Sequence, residues 1–287
     1  MKLAIISVHN RKESKDFVRA ARNRKHQATL IHPKDITFTI AGSKTKAFYR
    51  GTDVLKFDAF LFYGNNAPDE NFYTEKSMLA LLLTREKKLV IEPTRFFGKF
   101  WAAEKLAQAG IPTPKSIYAR SNRRIYESLK KIRPPYIIKP LAGSKGKGVE
   151  KIDTKKDLQK KLKNKDLEKI ILQEYFPGDD HRVIVVGNKA LGVMKKTPPP
   201  GDFRANISAG GKGAKVKMTP EFRKLAVAAC RATDTIFGGV DVMRNGNKYT
   251  VLEVNRSPQF AGPIFAGVTK VDVAGEVIEY LEKKLRK

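Results

Sequence analysis

The chain is nearly devoid of cysteine, and this scarcity excludes two kinds of site. Only Cys230 is present among 287 residues, so no intrachain disulfide can form. Cys230 ends an apolar run over residues 225–230, which predicts a buried core residue with no catalytic role. The histidines lack the spacing of zinc ligands, so we expect no zinc site. The four histidines are His9, His26, His32 and His181.

Long apolar runs are also missing. The chain has no stretch of about eighteen apolar residues, so we expect no membrane-spanning helix and no membrane partner. Residues 1–8 do not have the pattern of a signal peptide and instead predict a first β-strand. These absences lead us to expect a cytoplasmic protein.

Acidic residues are scarce relative to basic ones. The chain has 57 Lys and Arg against 29 Asp and Glu, which gives a formal net charge of +28. Lysines on solvated helix faces, such as those in residues 155–161, account for part of this charge but not for the imbalance. A surplus of this size indicates an anionic partner, and the candidates are an acidic protein, a growing acidic product or ribosomal RNA.

The order of apolar and helical stretches predicts an α/β domain followed by two α+β lobes. In residues 1–93, short apolar strands alternate with helices, which is typical of a parallel sheet flanked by helices. Residues 94–182 contain a helix that ends at Gly110, then strands and a glycine-rich loop. Residues 183–287 contain further strands, a helix over 220–234 and a closing helix over 271–285. We expect these three segments to be three lobes.

Three oxygen-bearing side chains lie in a predicted strand, turn and strand over residues 241–255. Glu253 and Asn255 are two apart, so they share one face of a strand. Asp241 joins that face only if the connection gives it an odd offset, as a three-residue loop over 245–247 would, because a two-residue turn would place it on the other face. Carboxylate and amide oxygens suit Mg²⁺ or Mn²⁺. A solvated hairpin would be the better interpretation if this segment stood alone.

A lysine and a glycine-rich loop predict phosphate binding. Lys139 lies at the end of an apolar strand, and Gly143, Gly146 and Gly148 follow it. Glycines let backbone N–H groups approach an anion, and the lysine supplies a point charge. The loop is not a Walker A motif, and a plain β-turn is the alternative. Because another strand follows the loop, we interpret it as a flap over a nucleotide.

Further polar groups follow strand ends. Glu174 and Tyr175 close an apolar strand, where they could face a nucleobase and its ribose, although a buried strand running into a loop is the alternative. Asp180 and Arg182 share one face at the start of the next strand. Arg204 precedes Asn206 by two residues, and its guanidinium is our candidate for holding a phosphoryl group or an acidic substrate.

Taken together, these segments resemble the ATP-grasp superfamily and, within it, the RimK-like α-L-glutamate ligases. The resemblance runs nearly from end to end and is strongest over residues 170–278. The motifs that carry it are Gln173-Glu174-Tyr175, Gly178-x-Asp180-x-Arg182, Gly201-Asp202-Phe203-Arg204-Ala205-Asn206 with Gly210-Gly211, Gly239-Val240-Asp241, and Glu253-Val254-Asn255-x-Ser257-Pro258.

The resemblance implies an ATP-grasp fold, with an N-terminal Rossmann-like domain and two α+β lobes that clamp ATP. It implies ATP and two Mg²⁺ or Mn²⁺ ions as cofactors, and an acyl phosphate that an amine attacks to form an amide. Arg204 and Asn206 would be catalytic. The implied metal ligands are Asp241, Glu253 and Asn255; the implied ATP contacts are Lys99, Lys139, Gly143, Ser144, Gly146, Glu174, Tyr175, Asp180, Arg204, Ala205 and Asn206; the implied substrate contacts are Arg182, Lys196, Arg204 and Ser208.

Two segments depart from the pattern or leave it open. Where relatives generally carry arginine, this chain has Lys195 and Lys196, and a lysine cannot make the bidentate contact of an arginine. Residues 65–75, which would shape the acceptor pocket, are not diagnostic.

The first function hypothesis is that the protein adds L-glutamate to the C-terminus of an acidic or ribosomal protein. The resemblance also implies a homo-oligomer, since relatives are often tetramers. A ligase acting on an amino-group carrier protein or on a glutamate-bearing coenzyme is the second. A non-catalytic protein associated with the ribosome or with RNA is the third, and three retained metal ligands argue against it.

Overall fold

The computed structural model describes residues 1–8, 11–64, 72–93, 98–141, 146–163, 170–207 and 210–286. Its first part contains the expected alternation of strands and helices. The elements are β1 (Lys2–Ile6), α1 (Lys12–Asn23), β2 (Gln27–Ile31), β3 (Ile36–Ala41), β4 (Lys44–Tyr49), β5 (Thr52–Asp53), β6 (Ala59–Phe62), α2 (Tyr73–Arg85) and β7 (Leu89–Ile91). A parallel sheet forms in the order β2-β1-β6-β7, with β3, β4 and β5 in a separate antiparallel sheet.

The second part forms a four-stranded antiparallel sheet with its own core. Its elements are α3 (Lys99–Gln108), β8 (Ser116–Ile117), α4 (Asn122–Ser128), β9 (Tyr136–Pro140), β10 (Glu150–Ile152), α5 (Lys155–Leu162) and β11 (Ile170–Glu174). The strand order is β10-β9-β11-β8. Thr154 caps α5 by accepting a hydrogen bond from the Asp157 backbone N–H at 3.1 Å, which explains why the helix begins there. Ile138, Leu158 and Leu172 are buried in the core of this lobe.

The third part is built on a five-stranded antiparallel sheet in the order β14-β13-β12-β15-β16. The elements are β12 (Asp179–Val186), β13 (Lys189–Thr197), β14 (Lys212–Lys215), α6 (Pro220–Ala232), β15 (Phe237–Asn245), β16 (Lys248–Asn255), α7 (Ala266–Thr269) and α8 (Val273–Leu285). α6 and α3 cover one face of the sheet, where Val183, Val240 and Cys230 are buried. The expected burial of Cys230 is confirmed, since none of its surface is exposed.

The first and third parts share one hydrophobic core. Leu3, Ile5 and Phe17 from the parallel sheet and α1 pack in the same cluster as Phe237 and Val277. The second part contributes none of the buried residues of that cluster. The first and third parts therefore form a continuous body; in the second part, the four-stranded sheet has its own core, whereas α3 packs against the third part.

The position of strand β12 helps to locate the boundary between the second and third lobes. The whole strand pairs with β13 and β15, from Asp179 onward. We propose the three lobes expected from the sequence, with the second boundary placed before Asp179 and not after Arg182. No helix among the described residues has both the length and the apolar character needed to cross a membrane.

Glu92 joins the end of the first lobe to the third. Its side chain is fully buried, and its Oε1 accepts hydrogen bonds from the backbone N–H groups of Ile236 at 2.6 Å and Phe237 at 3.0 Å. Its other oxygen pairs with the guanidinium of Arg256. Burial raises the pKa of Glu92, against the opposing influence of Arg256. The carboxylate thus accepts hydrogen bonds from the amide just before β15 and from the first amide of β15, at the junction of the two lobes.

We expect Glu92→Gln to lower the free energy of unfolding by about 3 kcal/mol, because it removes the charge opposite a largely buried guanidinium. Urea unfolding would measure the loss. The matched control is Glu86→Gln, since Glu86 pairs with Arg85 on the exposed surface and should cost about 1 kcal/mol or less. Equal effects of the two substitutions would contradict a structural role for Glu92.

Candidate active site

A row of charged side chains crosses one face of the five-stranded sheet. Arg182 on β12 lies opposite Asp241 on β15, and Asp241 lies opposite Glu253 on β16. Residues opposite one another in a sheet point to the same face. Lys196 on β13 lies opposite Asp180 on β12 and extends the row. The expected common face of Asp180 and Arg182 is therefore confirmed.

Short contacts hold this row together. Arg182 donates from Nε to Oδ1 and from Nη2 to Oδ2 of Asp241, both at 2.8 Å. Lys196 Nζ lies 3.0 Å from Asp180 Oδ2 and 3.2 Å from Asp241 Oδ2. Lys196 and Asp241 are almost fully buried. Lys196 thus bridges two carboxylates, while the bidentate pair comes from Arg182.

Burial and neighbouring charge move the pKa values of the two aspartates in opposite directions. Burial raises the pKa of Asp180, and its neighbour Asp241 adds to this effect. Burial alone would also raise the pKa of Asp241, but Arg182 and Lys196 outweigh it and hold that pKa below its usual value. Asp241 is therefore the fixed anion of the row. Oδ1 of Asp180 is buried and has no hydrogen-bond partner among the residues described.

The three proposed metal ligands lie on one face, but not for the reason expected. The three-residue loop predicted between the strands is wrong, because β15 ends at Asn245 and β16 begins at Lys248. A shift of register between Asp241 and Val242 leaves Leu252 as an extra residue in β16. This bulge supplies the odd offset that the turn does not.

Glu253 and Asn255 are neighbours at the end of β16. Asn255 Nδ2 donates a hydrogen bond to Glu253 Oε1 at 3.0 Å. Oδ2 of Asp241 is contacted by both Arg182 and Lys196, whereas Oδ1 accepts one hydrogen bond from Arg182 and keeps a second lone pair for a cation. No group of three or more His, Cys, Asp or Glu side chains suited to a metal occurs in the described part of the chain. The amide oxygen of Asn255 completes an oxygen-only set, which fits a hard cation such as Mg²⁺.

Lys139 approaches this set from the second lobe. It lies on β9 and is 9% exposed. Burial is the main cause that lowers the pKa of Lys139, to about 8; Glu253 attracts the cation, and Lys99 repels it. These influences indicate that Lys139, Lys99 and Glu253 lie near one another, and the Lys99 backbone N–H donates to the Leu141 carbonyl at 3.4 Å, just after β9. Cations of the second lobe therefore lie near oxygen donors of the third, which suits a phosphate bound with a hard cation.

The loop before β14 contacts the end of the glycine-rich segment. Arg204 Nη1 donates to the Gly146 carbonyl at 3.3 Å. Gly146 has φ +69°, and a side chain there would collide with the Asn206 amide. Only glycine therefore permits this close approach of the second and third lobes. Gly143, Ser144 and Ser208, which we also expected at the site, lie outside the described residues.

Sequence reasoning missed Asp202. Its carboxylate accepts hydrogen bonds from Arg204 Nε at 3.0 Å, from Nη2 at 2.8 Å and from the Arg204 backbone N–H at 2.9 Å. Hydrogen bonds from Arg204 hold the pKa of Asp202 down, to about 2. The sequence did contain a signal for this contact, because Asp202 precedes Arg204 by two residues. The contacts indicate that Asp202 orients the Arg204 side chain.

The expected nucleobase contacts lie at the edge of the second lobe. Glu174 accepts a hydrogen bond at Oε2 from the Arg133 backbone N–H at 3.3 Å. Lys151 Nζ lies 4.9 Å from the centre of the Tyr175 ring. Glu174 ends β11, only a few residues before β12 begins. The roles of Glu174, Tyr175, Asp180, Arg182 and Ala205 toward ATP or substrate stay predictions.

Comparison with known proteins gives the family. Residues 98–281 match the RimK-like ATP-grasp domain. A protein of Legionella pneumophila (strain Corby) described as "Probable alpha-L-glutamate ligase" is 30% identical over 306 residues, covering 100% of this chain and 97% of that protein. "Probable alpha-L-glutamate ligase 1" of Shewanella sp. (strain MR-4) is 32% identical over 298 residues, covering 99% and 96%.

A solved structure gives the same fold. The ATP-grasp ligase PsnB, complexed with minimal precursor, Mg and ADP, superposes with a TM-score of 0.78 at 18% identity, covering 99% of this chain and 98% of that one. The ATP-grasp fold expected from the sequence is confirmed. The chain belongs to the RimK-like ATP-grasp family, and it is an ATP-grasp ligase.

Proposed function

We propose that the protein uses ATP to join a carboxylate to an amine, and that it adds L-glutamate to the C-terminus of an acidic or ribosomal protein. The observation that carries the proposal is that Lys139 of the second lobe lies near enough to Glu253 of the third for the carboxylate to influence the pKa of the lysine. The charged row of Arg182, Asp241 and Lys196 lies beside Glu253 on the same sheet face. This arrangement suits a triphosphate whose charge must be balanced from both sides.

The first proposed step is phosphoryl transfer. An oxygen of the acceptor carboxylate attacks the γ-phosphorus of ATP, the bond to the β-phosphate oxygen breaks, and ADP leaves. Lys139 and Lys99 bind phosphate oxygens from the second lobe, and Arg204 aligns the transferred group from the third. Mg²⁺, when bound by Glu253, Asn255 and Asp241, supplies positive charge that offsets the charge of the phosphates.

The second proposed step forms the amide. The amino group of glutamate attacks the carbonyl carbon of the acyl phosphate, phosphate leaves, and the nitrogen loses a proton. In this proposal, Arg204 and Asn206 stabilise the oxyanion that develops on the carbonyl oxygen, and their contacts with Gly146 support a position between the second and third lobes. Asp202 restrains the arginine, so little reorganisation is needed during the reaction.

Glutamate and an acidic acceptor are supported by two findings of different kinds. Curated relatives at 30% and 32% identity are described as probable α-L-glutamate ligases. The net charge of +28 favours an anionic macromolecule, and each glutamate added would strengthen that attraction.

The direct test is ADP release measured with ATP, Mg²⁺ and glutamate against a panel of acidic proteins and small carboxylates, followed by intact mass of the product. We expect a ladder of mass increments of one glutamate residue on an acidic protein. ADP release with small carboxylates alone would favour a carrier-protein or coenzyme ligase. Salt-sensitive RNA binding without ADP release would contradict the proposal.

Replacement of Glu253 by glutamine should lower kcat at least about 100-fold, because the proposed metal site loses a charged ligand. The protein should remain folded, since Glu253 is only half-buried. Steady-state ADP release and circular dichroism would measure the two properties. Glu221→Gln on the exposed start of α6 is the control and should leave turnover unchanged. Full activity of the Glu253 variant would remove the metal assignment.

The lowered pKa of Lys139 predicts how nucleotide affinity depends on pH. Lys139 is protonated below about pH 8 and loses its charge above it, so ADP affinity should fall by up to about tenfold per pH unit beyond pH 8. Titration calorimetry between neutral and alkaline pH would measure this decline. Lys139→Arg keeps the charge and should abolish the decline, whereas Lys139→Ala should weaken binding at every pH. An identical decline in the arginine variant would assign it to another group.

A further inference from the structure

A groove on the first lobe lies outside the proposed active site. It has a volume of about 590 Å³ and runs between α1 and β2. Lys15, Arg19 and Arg22 line it and are exposed, while Val18 and Leu30 form a half-buried apolar floor. The groove therefore combines a cationic rim with an apolar base, which is the composition of a binding surface more than of a solvated helix face.

The rim charges belong to one face of α1. Lys15, Val18, Arg19 and Arg22 follow the i, i+3, i+4, i+7 spacing of a single helix face. The opposite face is buried through Phe17 and Ala21 in the core shared with the third lobe. Because that core fixes the rotation of α1, the helix face that carries the three cations borders the groove; Arg19 also pairs with Asp16 on the same helix at 2.7 Å.

Strand β2 adds main-chain groups to the same groove. It is the outer strand of the parallel sheet, and β1 is its one neighbour among the strands described. An edge strand presents N–H and C=O groups that an extended peptide can pair with. Ala28 and Leu30 lie opposite Leu3 and Ile5, so they point to the side of the sheet that α1 covers. An extended peptide could thus pair its backbone with β2 and place its side chains against α1.

The chemistry of the lining favours an acidic polypeptide as the occupant. Every charged residue of the described lining is positive. Single-stranded nucleic acid is a weaker candidate, since its bases stack on aromatic side chains and the described lining contains none. A second copy of this chain bound symmetrically through the groove would bring the same cations together, on a molecule with a net charge of +28.

The start of α1 contacts the segment that follows β16. The carboxylate of Glu13 accepts a hydrogen bond from the Ala261 backbone N–H at 3.4 Å. This contact fixes the N-terminal end of α1 against the third lobe.

We propose that the groove between α1 and β2 is a docking site for an acidic segment of the protein acceptor, separate from the site where the amide forms. The segment adds along the edge of β2 while its carboxylates pair with Lys15, Arg19 and Arg22. This inference rests on the proposed function for the identity of the partner. Binding at the groove itself requires neither ATP nor turnover.

The test is binding of a fluorescein-labelled glutamate-rich peptide to the full chain without nucleotide, followed by fluorescence anisotropy at low and moderate salt. We expect the charge reversals Lys15→Glu, Arg19→Glu and Arg22→Glu together to weaken binding by about tenfold or more at low salt, with less effect as screening grows. Arg22→Glu alone should give a smaller loss in the same direction. A peptide with glutamine in place of glutamate should bind weakly to the wild type.

The matched control is the reversal of three exposed lysines on α5, Lys155→Glu, Lys156→Glu and Lys160→Glu, which changes the net charge by the same amount. Equal weakening by the groove and control variants would overturn the proposal, because net charge would then explain the binding. Competition by single-stranded RNA through the same three residues, or loss of a dimer in the groove variant, would assign the surface to RNA or to a second copy. Because no nucleotide is present, failure of this test is distinct from failure of the ligase assay.

Discussion

The bidentate pair of Arg182 and Asp241 is the interaction on which the site depends. It connects the central strands β12 and β15 at a point where Lys196 from β13 also reaches Asp241. Breaking a buried pair of this kind leaves an uncompensated charge, so each member constrains the others. The same sheet face is apolar further along β12, at Ile184 and Val186, which pack against the first lobe. The charged row therefore begins where the shared core ends.

Lys139 and Glu253 belong to sheets with separate cores. Glu253 lies on a sheet whose other residues share a core with the first lobe, whereas Lys139 lies on the sheet of the second lobe. Gly178 lies between them, and a side chain there would collide with the carbonyl of Arg244. The connection between the lobes is thus short and closely packed.

Local sequence patterns predicted the parts of this site that depend on the alternation of residues along a strand and on residue type. The alternation of a strand placed Glu253 beside Asn255, and apolar runs placed Lys139 at the end of β9. The side of the sheet to which Asp241 points depends on a bulge at Leu252. The bulge arises from pairing between the strands, so the sequence of the turn does not predict it. The coupling of Lys139 to Glu253 and the pairing of Glu92 with Arg256 join residues far apart in the chain. No periodic pattern encodes such contacts, and the polar strands β3, β4 and β5 were missed because they lack an apolar run.

The most direct test of this account is a crystal structure of the protein with a non-hydrolysable ATP analogue and Mg²⁺. The account predicts the β- and γ-phosphates between Lys139 and Glu253, with the cation on Glu253 and Asn255 and the Arg182 to Asp241 pair intact. Phosphates bound away from Lys139, or a cation held without Glu253, would contradict it.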